Sequence, residues 1–205
     1  MQRGLQLLSG LVLGLLVVAG FWAARQFMPG AAPAAELHGM LLEAPAPAAD
    51  FTLHSGGGAI VRLSDFRGRL TVLYFGYTFC PDVCPATLGD LAKAVAALGE
   101  QASDVQVLLI SVDPERDTPD RVAAYARAFD PNFLGLSGTV EDITAAATPF
   151  GIFFEKAAGA TDAGYLMNHT STVTVVDRAG YVRLVWPFGV PPADLAADLR
   201  YLLRR

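Results

Sequence analysis

Cys80 and Cys84 are the only cysteines of the chain, four positions apart in the run Phe75 to Pro85 (FGYTFCPDVCP). Two close thiols can form a disulfide, bind a soft metal or cycle between the two states. As a structural staple the pair would be poor, because the loop it closes is tiny and removes little unfolded-state entropy. The pair therefore reads as chemistry. Dithiol redox motifs of the thioredoxin type place two residues between the cysteines, and here there are three. The wider loop lets both sulfurs face one point, which favours a thiophilic ion, with Cu(I) as the leading candidate. A plain dithiol redox site with a longer loop is the competing reading.

Of three histidines, His38 falls in a segment without periodicity and His54 beside a glycine turn, and both read as solvated loop residues. His169 immediately precedes an apolar strand-like run and is the candidate third ligand. Two thiolates and an imidazole accommodate Cu(II) as well as Cu(I). Asp82 inside the loop and Asp113 after a second apolar run are candidates for groups that support the cysteines. Tyr74, Phe75, Tyr77 and Phe79 read as core and site wall, and any that are exposed could form a docking surface.

These residues need elements to hold them. Leu70–Gly76 (LTVLYFG) is a continuous apolar run, as expected of a buried central strand, and Val105–Val112 is a second. Pro85 lacks an N–H and suits the first turn of a helix, so the helix after the cysteines is expected to begin there and run to Leu98. Both sulfurs would then lie at the positive helix end, which favours thiolate. Thr118 followed by Pro119 signals a helix start, and Thr139 caps a shorter helix. Phe51–Leu53 and Ile60–Leu63 flank a glycine turn. Ser171–Asp177 and Tyr181–Trp186 read as a hairpin, and Pro191–Leu203 as a closing helix. This order is that of an α/β fold with a mixed central sheet flanked by helices, and cysteines between a buried strand and a helix are the thioredoxin-like arrangement.

The 205 residues suit one domain plus an appendage. Gly4–Ala24 is uncharged and lies between Arg3 and Arg25; as a helix it would reach about 30 Å, enough to cross a bilayer core. It is longer than the apolar region of a cleaved signal peptide, the alternative reading. An N-terminal transmembrane anchor (1–25), an Ala/Pro-rich tether (26–49) and a folded domain (50–205) are expected, with the domain on the extracytoplasmic side. A net charge of −5 provides no electrostatic footprint for nucleic acid.

Four blocks carry a more specific likeness: Phe75–Pro85, Ser111–Pro119 (SVDPERDTP), Phe129–Gly138 (FDPNFLGLSG) and Tyr165–Ser171 (YLMNHTS). In this order they resemble the Sco (SenC) family, and the similarity covers residues 50–205. The resemblance implies a thioredoxin-like fold in a single-pass inner-membrane protein with a periplasmic domain. It implies copper held by Cys80, Cys84 and His169, received from an upstream donor protein and used to assemble the CuA centre of cytochrome c oxidase subunit II. A thiol–disulfide oxidoreductase that keeps the CuA cysteines reduced, or a copper or redox sensor, are the alternatives. One departure is Asn168, where relatives commonly carry Asp before the ligand histidine.

Overall fold

The computed structural model describes residues 20, 22, 37–42, 44–159 and 164–205. The expected membrane anchor lies outside them, apart from Gly20 and Trp22, which are helical. Among the described residues no helix is long and apolar enough to cross a membrane.

The unit Leu37–Arg205 is built on a six-stranded mixed sheet. Its strands, numbered along the chain, are β1 (Met40–Leu41), β4 (Leu70–Gly76), β5 (Val105–Ser111), β6 (Leu134–Leu136), β9 (Val173–Val176) and β10 (Val182–Trp186), in the spatial order β1-β10-β9-β4-β5-β6. All seven residues of β4 and all seven of β5 are buried, so both faces of the sheet centre are covered. Parallel neighbours need crossovers, and here these are helices. Helix α1 (Val83–Ala96) joins β4 to parallel β5, and α2 (Pro119–Arg127) joins β5 to parallel β6. The chain then adds α3 (Val140–Ala147) and ends in α4 (Pro192–Leu203), which packs against α1. On the other flank of β4, β9 runs antiparallel and forms the expected hairpin with β10. Two small hairpins stand outside the sheet: β2 (Thr52–His54) with β3 (Ile60–Arg62), and β7 (Phe154–Lys156) with β8 (Met167–His169).

Caps follow the sequence signals. Thr118 Oγ1 accepts the N–H of Arg121, and Thr139 forms a reciprocal capping box with Asp142. At Gly135 in β6 a Cβ would stand 2.1 Å from the Val122 carbonyl oxygen, so α2 can lie this close to the sheet only over glycine.

Three details depart from the sequence reading. Helix α1 begins at Val83, ahead of Pro85. The first four N–H groups of a helix have no intrahelical partner, so a proline at the third helical position forfeits nothing. Secondly, residues 37–42, which composition assigns to the tether, are packed on the domain: Met40 and Leu41 pair with β10. Thirdly, His38 is no free loop residue. Its N–H and that of Gly39 donate to Asp198, a carboxylate only 1% exposed that also accepts from Trp186 Nε1 at 2.8 Å. A buried charge requires such a set of donors, and this one holds the N-terminal segment to α4.

Candidate metal centre

Strand β4 ends at Gly76, and the chain turns through Tyr77–Asp82 into α1. This places Cys80 on the turn and Cys84 in the first helical turn, where it is fully buried while Cys80 is partly exposed. Asp82 occupies the N-cap position, yet its side chain makes no capping bond. Instead the N–H of Cys84 donates to Cys80 Sγ at 3.3 Å, so a sulfur takes the role usually filled by an oxygen. Both cysteines are free thiols.

His169 closes β8 and comes to Cys84: Nε2 lies 3.6 Å from Cys84 Sγ. Its Nδ1 is 3.1 Å from the Thr170 carbonyl oxygen. A carbonyl only accepts, so in the neutral ring Nδ1 carries the proton and the Nε2 lone pair points toward the sulfur. Tyr77 and Tyr74 meet the imidazole edge-on, with centroids at 5.8 and 6.4 Å, and fix the ring plane. Burial holds the imidazole below its ordinary pKa, opposed in part by the Thr170 bond. The ring is therefore neutral near pH 7.

Cys84 departs from the expectation of a helix-stabilised thiolate. Burial pushes its thiol up to about 12, and the nearby Tyr74 hydroxyl and Tyr77 backbone offset this only in part. Desolvation outweighs the helix end because the sulfur has no exposed surface. Tyr74 Oη is buried against Cys84 and Thr87 without a well-formed hydrogen bond among the described residues. Gly76 completes the pocket: a Cβ there would stand 3.1 Å from Cys84 Sγ and 2.9 Å from Tyr74 Cε1. Among the described residues no three His, Cys, Asp or Glu side chains stand in ready ligating geometry. Cys84 and His169 meet, whereas Cys80 is tied to the helix end.

Neither acidic candidate touches the cysteines. Asp82 is exposed. Asp113 is buried and divides its oxygens between Arg116 Nε and Tyr165 Oη, the latter at 2.7 Å. The acid that supports the cysteine loop is Asp117, which sequence reasoning missed. Fully buried, it accepts from the Thr78 N–H at 2.9 Å, from Thr78 Oγ1 and from Ser111 Oγ at 2.7 Å. It stands one residue before a helix cap, and nothing in the local pattern signals burial. Of the aromatic run, Tyr74, Phe75 and Tyr77 are buried and Phe79 is 44% exposed. Asn168 is exposed and pairs with Glu155 across the β7–β8 hairpin.

Comparison with known proteins agrees with this arrangement. The apo Sco1 protein from Thermus thermophilus superposes with a TM-score of 0.76 at 40% identity, over 83% of this chain and 99% of that one. Copper-bound ScoI from Bradyrhizobium japonicum gives 0.70 at 36% identity, over 77% and 99%. An SCO2-like protein of Rickettsia felis is 33% identical over 132 residues, and the chain covers 64% of that relative's length. The profile of the SCO1/SenC family matches residues 41–204, which contain β2 through α4 and the candidate ligands Cys80, Cys84 and His169. The chain belongs to the SCO1/SenC family.

Proposed function

We propose that the chain is a copper chaperone: it holds copper between Cys80, Cys84 and His169 and passes it to a cytochrome c oxidase during assembly, with the CuA centre of subunit II as the acceptor. The observation that carries this reading is the 3.6 Å approach of His169 Nε2 to Cys84 Sγ, with Nδ1 already engaged by Thr170. A histidine presenting its free nitrogen to a thiol, its other nitrogen fixed by a carbonyl, is prepared as a ligand. Two sulfurs and one imidazole suit both copper oxidation states. Copper bound to the related ScoI of Bradyrhizobium japonicum supports the same cargo here.

Capture would proceed from the exposed ligand to the more buried ones. Cys80, on the turn and partly exposed, would meet incoming copper first, leaving its contact with the Cys84 N–H and giving its thiol proton to solvent as the metal–sulfur bond forms. Cys84 then loses its proton to solvent as the metal–sulfur bond forms, and neutral His169 supplies its lone pair without proton release. Transfer reverses this order by ligand exchange with the acceptor, and the donor would be a protein presenting copper to Cys80. The Gly4–Ala24 segment would hold the domain at the outer face of the inner membrane.

Copper titration of the reduced full-length chain tests the reading, comparing wild type with His169→Ala. The wild type should take up one equivalent and develop a Cu(II)–thiolate absorption band, which His169→Ala weakens or shifts. Absence of stoichiometric copper in the wild type would refute it.

The unequal exposure of the two thiols supports a second reading, thiol–disulfide exchange. Cys80 would attack a disulfide of the target, forming a mixed disulfide. Cys84 would then displace the target's sulfur, leaving the target reduced and Cys80–Cys84 oxidised. On that reading His169→Ala keeps function and either cysteine variant loses it.

A further inference from the structure

The loop Ser111–Thr118 touches both halves of the site. At one end Asp117 binds the cysteine loop through Thr78. At the other, Glu115 pairs with Lys156 of β7 at 2.7 Å, and Asp113 accepts from Tyr165, four residues before His169. Between them stands Arg116. Its guanidinium carbon lies 4.5 Å from the centre of the Phe79 ring and 3.7 Å from that of Tyr165. Phe79 adjoins Cys80. The side chain is 17% exposed, Nε donates to the buried Asp113, and Nη2 has no hydrogen-bond partner among the described residues. Arg116 is thus held chiefly by two ring faces and one carboxylate, and those rings belong to the two segments that carry the ligands. Because β7–β8 is outside the main sheet, no backbone ladder sets its distance from the cysteine loop.

We infer that Arg116 is a positioning residue, a latch whose guanidinium, packed between Phe79 and Tyr165, ties the cysteine loop to the hairpin bearing His169 and so sets how far apart their ligands stand. This rests on the copper reading for its purpose, though the latch itself is a property of the metal-free chain. A planar cation suits it because it can stack on two rings while donating in its own plane, which a lysine ammonium cannot do.

Hydrogen exchange on the reduced, copper-free full-length chain tests the latch directly. Arg116→Ala and Phe79→Ala should each speed exchange of the Met167–Thr170 amides about tenfold, the loss expected of a partly desolvated cation–π contact. The double variant should add little beyond Arg116→Ala alone, since Phe79→Ala removes a contact that Arg116→Ala already abolishes. Arg116→Lys should recover only part of the protection. On copper loading, each variant should also weaken or shift the Cu(II)–thiolate band at unchanged metal stoichiometry. Phe79 is exposed, so its variant is read even if Arg116→Ala fails to fold. Unchanged exchange in Phe79→Ala, or fully additive effects in the double variant, would overturn the latch. A wild type that binds no copper while the variants still loosen the hairpin would defeat the copper reading and leave the latch standing.

Discussion

The two halves of the site are built in opposite ways. The cysteine half continues directly from β4, a fully buried strand, into α1, and its backbone is fixed by the sheet on one side and a helix on the other. The histidine half sits at the end of a three-residue strand in a two-stranded hairpin outside the sheet. What holds it to the cysteines is side chains: Tyr77 Oη to the Met167 N–H at 3.3 Å, Tyr165 to Asp113, Lys156 to Glu115 and the Arg116 stack. A carrier must bind its ion and also release it. On the proposed copper reading, one rigid wall and one compliant wall meet both demands, because opening the hairpin would withdraw His169 without unfolding the core.

The largest effect should come from the rigid wall. Cys84→Ser should lower copper retention more than about hundredfold, some 2.7 kcal/mol or more, since a hydroxyl is a poor ligand for a soft ion. His169→Ala should cost less in Cu(I) retention than in Cu(II), for which nitrogen is the better-matched donor. Competition with a chelator of known affinity in each oxidation state measures both. Equal losses across all variants would erase the distinction between the walls.

Next in size is the anchor of the cysteine loop. Asp117→Ala strands the Thr78 N–H and the Ser111 hydroxyl in a buried place. It should destabilise the domain by about 2–4 kcal/mol, measured by denaturant unfolding. The corresponding change on the compliant side, at exposed Glu115, should cost no more than about 1 kcal/mol. A reversal of that order would mean that the hairpin is the stiffer element.

Gly76→Ala sharpens the comparison at the floor of the pocket. The added methyl contacts Cys84 Sγ and Tyr74 Cε1, and the overpacking should cost about 1–3 kcal/mol. Because the displaced atom is a proposed ligand, the Cu(II)–thiolate band should move as well. A destabilised variant with an unaltered band would show that the sulfur does not bind where it rests in the metal-free chain.

A further effect is expected on pH dependence. Burial raises the Cys84 thiol from its ordinary 9.0 to about 12. The folded state therefore binds this proton more tightly than the unfolded state. Its stabilisation is complete below pH 9 and is lost progressively between 9 and 12. Denaturation midpoints should fall over that window, and Cys84→Ser should flatten the fall in part, Tyr74 contributing in the same direction. The same raised thiol makes copper capture release a proton, so affinity should weaken as pH is lowered.

Much of this molecule was legible in its residues. The continuous apolar runs of β4 and β5 announced a doubly covered sheet. Thr118-Pro119 and Thr139 announced two helix starts, because capping is local chemistry between neighbours. The three-residue gap between the cysteines and the position of His169 pointed to the proposed copper site. Other features were illegible, because they depend on what lies nearby in space. Asp117 and Asp198 are acidic residues of ordinary local context that turned out to be buried among donors from distant segments. Cys84 reads as a thiolate at a helix end, and only burial, a tertiary property, reverses this. The β7–β8 hairpin carries no alternating pattern, being too short and too exposed to show one.

The order of strands and helices, their caps and the identities of the three candidate ligands were therefore set by the chain itself, since each depends on periodicity and near neighbours. Which thiol is buried, which acid supports it and how a detached hairpin brings an imidazole to 3.6 Å from a sulfur were decided by tertiary packing. Desolvation and contacts between distant segments exist only once the chain has folded.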